Sequence, residues 1–154
     1  MKKILLLLFA PLVILSACSK KDSNVDPAKQ AAADDATIQA YLKAHTEINA
    51  TKDPSGLYYQ IITSGTGANP TVSSTITVNY TGKLLDGTTF ETGTAFTATL
   101  NGLITGWKIG IPLIKPGGRI LLLIPSGLAY GSQANSGIPA NSVLQFTIDL
   151  TGFK

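Results

Sequence analysis

Residues 76–91 read Ile-Thr-Val-Asn-Tyr-Thr-Gly-Lys-Leu-Leu-Asp-Gly-Thr-Thr-Phe-Glu, with Ile76, Val78 and Tyr80 alternating with Thr77, Asn79 and Thr81. A period of two puts the first three on one face of a half-buried strand. Asp86-Gly87 then supplies a turn before Phe90, since both residue types tolerate the positive φ that tight hairpins require. An antiparallel hairpin is therefore the starting point. On its N-terminal side, Leu57 to Thr63 is a β-rich run ending at Gly65-Thr66-Gly67. These glycines form a loop; without a following helix and a Lys-Ser/Thr pair they are no phosphate cradle. On the C-terminal side, Ile104 to about Ile111 fits one short helix, limited by Pro112 and Pro116-Gly117-Gly118. Ile120 to Ile124 is continuously apolar, as in a central strand buried on both faces. In the last segment Leu144, Phe146, Ile148 and Leu150 alternate with Gln145, Thr147 and Asp149. Many strands and one helix predict an α+β fold, a curved antiparallel sheet wrapped on one short α-helix.

Tyr80, Phe90, Phe96, Trp107, Tyr130 and Phe146 are spread over these segments, each in its own local phrase. The phrases are Val78-Asn79-Tyr80-Thr81-Gly82, Asp86-Gly87-Thr88-Thr89-Phe90-Glu91, Ile104-Thr105-Gly106-Trp107, Leu128-Ala129-Tyr130-Gly131, Gly137-Ile138-Pro139-Ala140-Asn141 and Leu144-Gln145-Phe146. In this order and at these separations they resemble the FKBP-type peptidyl-prolyl cis/trans isomerases, from about Gly56 to Lys154. The resemblance implies that family's fold and its activity, isomerisation of X-Pro bonds, without a cofactor. By the same resemblance, Trp107 matches the indole floor of the proline pocket. Tyr80, Phe90, Phe96 and Phe146 match its walls, and Tyr130 matches the hydroxyl that donates to a ligand carbonyl. Leu103 and Ile104 match the two aliphatic positions before the tryptophan, with the Ile104 backbone N–H as a second donor. Ile138 matches the apolar residue of the late loop that overhangs the site. The expected catalytic set is Tyr80, Phe90, Glu91, Trp107, Tyr130 and Phe146, and the expected substrate contacts are Phe96, Leu103, Ile104 and Ile138. Two positions depart from the family pattern. Glu91 stands where Asp is usual, facing the equivalent of Tyr80, and Ala98 stands where many members carry a second Phe. The alternative use of the aromatics, as plain core, weighs most for Phe96 and Phe146, which lie on strands.

The formal charge of +3 includes Lys2 and Lys3; without them ten basic residues face nine acidic ones. No basic cluster alternates with aromatics, so nucleic acid is not an expected partner. Lys2-Lys3 precede an apolar run from Ile4 to Leu15 and then Ser16-Ala17-Cys18. That order is a secretory signal peptide, and its apolar run is shorter than the ~20 residues a bilayer-spanning helix needs. Leu15-Ser16-Ala17-Cys18 is similar to a bacterial lipobox, in which the cysteine is acylated. Cys18 is the only cysteine, so a mature body without disulfides or thiolate metal sites follows. Envelope localisation through a lipid anchor is the expectation, with a monomeric body. Residues 18–33, small and polar, read as a flexible tether. Asp34-Asp35 could cap a helix running to about Ile48, with Ile38, Tyr41 and Leu42 on one face. That helix either packs on the domain or pairs with a second copy; the sequence does not choose. The expected division is signal peptide 1–17, tether 18–33, helical extension and turn 34–55, and isomerase domain 56–154.

Hydrolytic chemistry finds no support, for there is no Gly-x-Ser-x-Gly and no cluster of metal ligands. His45, the only histidine, lies outside the domain. Prolyl isomerisation needs none of these groups. Its barrier of about 18–20 kcal/mol is amide resonance, and the twisted amide has a less polar carbonyl than the planar one. An apolar pocket therefore favours the twisted state. The competing expectation is a module that holds Pro-containing segments with little turnover.

Overall fold

Residues 26–154 are described by the computed structural model. The expected signal peptide, Cys18 and the first part of the tether lie outside them. Helix α1 (Pro27–Ala44) begins where the Asp26 side chain accepts a hydrogen bond from the Ala28 N–H at 2.9 Å. Pro27 follows at the first helical position, where a missing N–H costs nothing. The expectations of a tether to residue 33 and a cap at Asp34 are thereby corrected. Residues 27–33 are already helical, because Ala31-Ala32-Ala33 follow a formed cap and alanine is the best helix former. Asp34 is instead an internal helix residue, 2% exposed. The helix also ends before Ile48: the His45 N–H turns back onto the carbonyls of Tyr41 and Leu42. The His45 ring stacks on Tyr41 at 3.9 Å, away from the sheet's inner face.

The strands are β1 (Thr51–Lys52), β2 (Tyr58–Thr63), β3 (Thr75–Leu84) and β4 (Thr89–Thr99); helix α2 (Thr105–Gly110) precedes β5 (Gly118–Ile124) and β6 (Leu144–Phe153). They form one six-stranded sheet in the order β1-β2-β5-β6-β3-β4, antiparallel at every pairing. The α+β expectation holds. Because Thr51 pairs with Tyr59, the sheet begins before Gly56, the expected domain start. The β3–β4 hairpin turns at Asp86-Gly87, with Gly87 at φ +91°. Its register shifts between Val78 and Tyr80. There Ala95 takes φ +50°, held by its N–H donating to the Asn79 side chain at 2.8 Å. This bulge sets how Tyr80 and Phe96 meet.

The continuous apolar run of β5 has a physical cause on each face. Ile120, Leu122 and Ile124 join Trp107, Ile111, Phe146 and Ile148 in the main core, beneath α2. Leu121 and Leu123 join Tyr58, Val143 and Ile38 of α1 in a second core. Helix α1 is thus packed on the sheet, and two hydrogen bonds fix it laterally. The Tyr41 hydroxyl donates to Gln145 at 2.9 Å and the Tyr58 hydroxyl to Asp35 at 2.8 Å. Helix α2 lies unusually close to β5. A Cβ at Gly106 would come within 2.5 Å of the Ile124 side chain, and one at Gly110 within 2.6 Å of Leu122. Among the described residues no helix is long and apolar enough to cross a membrane.

Candidate active site

The α2 contact with β5 carries Trp107, 4% exposed, under a group of rings from three strands. Tyr80 of β3 meets the indole edge-on at 5.0 Å and 81°, and Phe146 of β6 does so at 5.3 Å and 89°. Phe96 of β4 packs on Tyr80 at 5.6 Å and 75°. Edge-to-face geometry is what ring quadrupoles favour, and it fixes ring orientation as well as position. Between these rings lies a cavity of about 210 Å³ lined by Tyr80, Glu91, Phe96, Leu103, Ile104, Trp107, Tyr130 and Phe146. Leu103 and Ile104 come from the turn before α2, and Tyr130 comes from the turn after β5. Eight residues that the sequence separates by up to 66 positions therefore share one cavity.

Two expected members are not in its lining. Phe90 packs against Phe146 at 5.5 Å and 84°, with its ring over Gly82, so it braces a wall from behind. Ile138 is 5% exposed within the main core, and its backbone pairs with Asn135; it roots the late loop. Ala98 lies opposite Ile76 in the β3–β4 ladder, also outside the lining. A close approach at Gly93 went unread in the sequence. A Cβ there would stand 2.3 Å from the Tyr80 ring, so only glycine leaves that ring in place. Tyr80 gave no hint of it, because the pairing appears only once the bulge sets the register.

The site's electrostatics centre on one carboxylate. Burial, and then the adjacent Glu91 carboxylate, push the Tyr80 hydroxyl up to about 12. Burial and the Glu91 charge also raise Tyr130, against a hydrogen bond from Asn135 that lowers it. Glutamate, longer by one methylene than the usual Asp, thus still acts on Tyr80. The buried Trp107 Nε1 has no hydrogen-bond partner among the described residues. No three potential metal ligands gather among the described residues. A larger cavity, about 620 Å³, lies between α1 and the Pro125–Ser132 turn and is lined by no aromatic residue. Its size does not make it the chemical site, because the converging rings and hydroxyls are in the smaller one.

Comparison with known proteins decides the family. Residues 67–151 match the profile of the FKBP-type peptidyl-prolyl cis-trans isomerases. The chain belongs to this family. It is 38% identical over 140 residues to the FKBP-type peptidyl-prolyl cis-trans isomerase FkpA of Escherichia coli K12, covering 88% of this chain and 52% of that one. It is 42% identical over 106 residues to the outer membrane protein MIP of Legionella longbeachae, covering 66% of this chain and 46% of that one. The crystal structure of Escherichia coli FkpA superposes with a TM-score of 0.72 at 38% identity, over 82% of this chain and 62% of that one. The chain thus spans about half the length of the curated relatives it matches. β3, β4, α2, β5 and the Tyr130 turn all fall inside the family match, as does β6 up to residue 151.

Proposed function

We propose that the chain catalyses cis/trans isomerisation of X-Pro bonds in unfolded or folding polypeptides at the aromatic cavity. The observation that carries this reading is the convergence of Tyr80, Phe96, Trp107, Tyr130 and Phe146 around one small apolar space; family membership supports the reaction class. In this reading Trp107 is the floor for the proline ring and Tyr80, Phe96 and Phe146 are walls. The Tyr130 hydroxyl donates to a substrate carbonyl. The Ile104 N–H, unpaired in the backbone network of the described residues, donates to a second carbonyl. Glu91 orients Tyr80 and, through its charge, biases Tyr130. Rotation about the C–N bond needs no covalent intermediate and no proton transfer. An apolar enclosure stabilises the less polar twisted amide relative to the planar one. Rings held edge-to-face are preorganised for that shape.

The test is exchange spectroscopy on a short X-Pro peptide with catalytic amounts of protein. Acceleration of exchange that is lost in Trp107→Ala is the expected result. Peptide binding without acceleration would replace the enzyme with a Pro-segment-binding module. We further infer that the protein is monomeric, since its own sheet covers the apolar stripe of α1, and that it works in the cell envelope, lipid-anchored through Cys18. The order of basic, apolar and small residues before Cys18 supports this, as does the relative described as an outer membrane protein. In a bacterial host, Cys18→Ser is expected to move the product out of the membrane fraction; unchanged partitioning and processing would defeat the anchor.

A further inference from the structure

The turn that presents Tyr130 is held from α1, outside the residues matched to the family. Asp34 and Ser126 are 2% and 1% exposed, the two buried polar side chains among the described residues. One Asp34 carboxylate oxygen accepts both the Ser126 N–H at 2.8 Å and the Ser126 hydroxyl at 2.6 Å. The other accepts from the Gln30 side chain at 2.7 Å. The Ser126 carbonyl in turn accepts the Ala129 N–H at 3.0 Å and the Gly131 N–H at 2.8 Å. Those two residues flank Tyr130. The Gly131 carbonyl is itself held, by the Asn141 N–H at 2.8 Å.

From this chain of bonds we infer that Asp34 is a positioning residue for Tyr130, acting through Ser126 on the backbone at both sides of the hydroxyl-bearing residue. The inference rests on the proposed role of Tyr130 in the cavity. Burying a carboxylate is costly unless its oxygens are filled by donors. An apolar residue would anchor the helix at lower cost, as Ile38 does four residues on. What a carboxylate adds is direction: charge-assisted bonds are short and geometrically strict. Asp34 thereby fixes the Ser126 N–H and hydroxyl on one side of its Cα, and the carbonyl on the other side of that Cα holds the turn. An element appended to the domain reaches into the site without touching it.

The experiment compares Asp34→Ala, Asp34→Asn and Ser126→Ala in the full chain, each with Tyr130 and with Tyr130→Phe. Asp34→Ala should lower kcat/KM for an X-Pro peptide about three- to tenfold, the scale of one or two lost hydrogen bonds. In the Tyr130→Phe background the same change should cost less than about twofold, since the hydroxyl it positions is gone. Asp34→Asn keeps an acceptor for Ser126 and should retain most activity. Amide exchange at Ala129 and Gly131 should quicken in Asp34→Ala while that at Leu121 and Leu123 does not. Tyr41→Phe, which removes another α1 tether, should leave kcat/KM unchanged. Equal losses in both Tyr130 backgrounds, or undisturbed Ala129 and Gly131 amides, would overturn the inference. If Asp34→Ala does not fold, Ser126→Ala must give the same pattern at smaller amplitude, and its absence overturns the inference equally. A wild-type chain without turnover ends the isomerase reading; the amide-exchange arm still decides this one.

Discussion

At the scale of single residues, the cavity is a place for fitting rather than for titration. Tyr80 is pushed up to about 12 from 10.0 and Tyr130 is also raised, while the only histidine stacks on α1. The isomerisation rate is accordingly expected to be flat from about pH 6 to 8, measured as exchange across that range. A steep titration near neutrality would transfer the chemistry elsewhere. Tyr130→Phe should cost no more than about 1–2 kcal/mol in transition-state stabilisation, and Trp107→Ala at least as much. The sign for Tyr80 also follows. Its folded value lies above the unfolded one, so its contribution to stability is complete below pH 10.0 and lost as pH rises toward 12. Alkaline unfolding should therefore be eased in the wild type relative to Tyr80→Phe, read as a smaller drop in Tm for the variant over that interval. The aromatic members were legible because each sat in a local phrase. Phe90 and Ile138 stand behind the lining, which the sequence does not show because a phrase gives a residue's neighbourhood along the chain, not which side of a neighbouring ring it packs on. Asp34 was illegible, since a carboxylate beside three alanines looks solvated until its partner, Ser126, 92 positions later, is known.

Elements explain why those residues stay put. Helix α2 is only six residues long, too short to be stable alone, and it holds Trp107 because two glycines let it touch β5. Gly106→Ala would gain about 1 kcal/mol of helix propensity. The new methyl, 2.5 Å from Ile124, should cost more, giving a net loss of about 1–2 kcal/mol within the overpacking range. Denaturant titration with an unchanged m-value checks this, and a stabilised variant would show that the helix can retreat freely. The sheet itself was readable from alternation, and β5 from its unbroken apolar run. What covered the outer face of that run was not readable. The α1 stripe of Ile38, Tyr41 and Leu42 is short, and periodicity says which face of a helix is apolar without saying what it meets.

For the whole molecule, α1 and the sheet form one cooperative body rather than a domain with a loose extension. Ile38 is fully buried against Leu121, Leu123 and Tyr58. Ile38→Ala should therefore lower global stability by about 2–5 kcal/mol, as for other large-to-small core changes. Unfolding should remain a single transition by both tryptophan fluorescence and far-ultraviolet dichroism. Two separated transitions would mean that α1 melts alone. The strand order carries a consequence for how the chain folds. β6, the last strand in the sequence, lies between β5 and β3, and Lys154 exchanges hydrogen bonds with Thr75 in both directions at 2.7 and 2.9 Å. Until residues 144–153 are in place, β1-β2-β5 and β3-β4 have no strand pairing to join them. Contacts this distant in sequence make folding slow. The sheet therefore closes last at its middle, and a chain that lacks β6 stays open there.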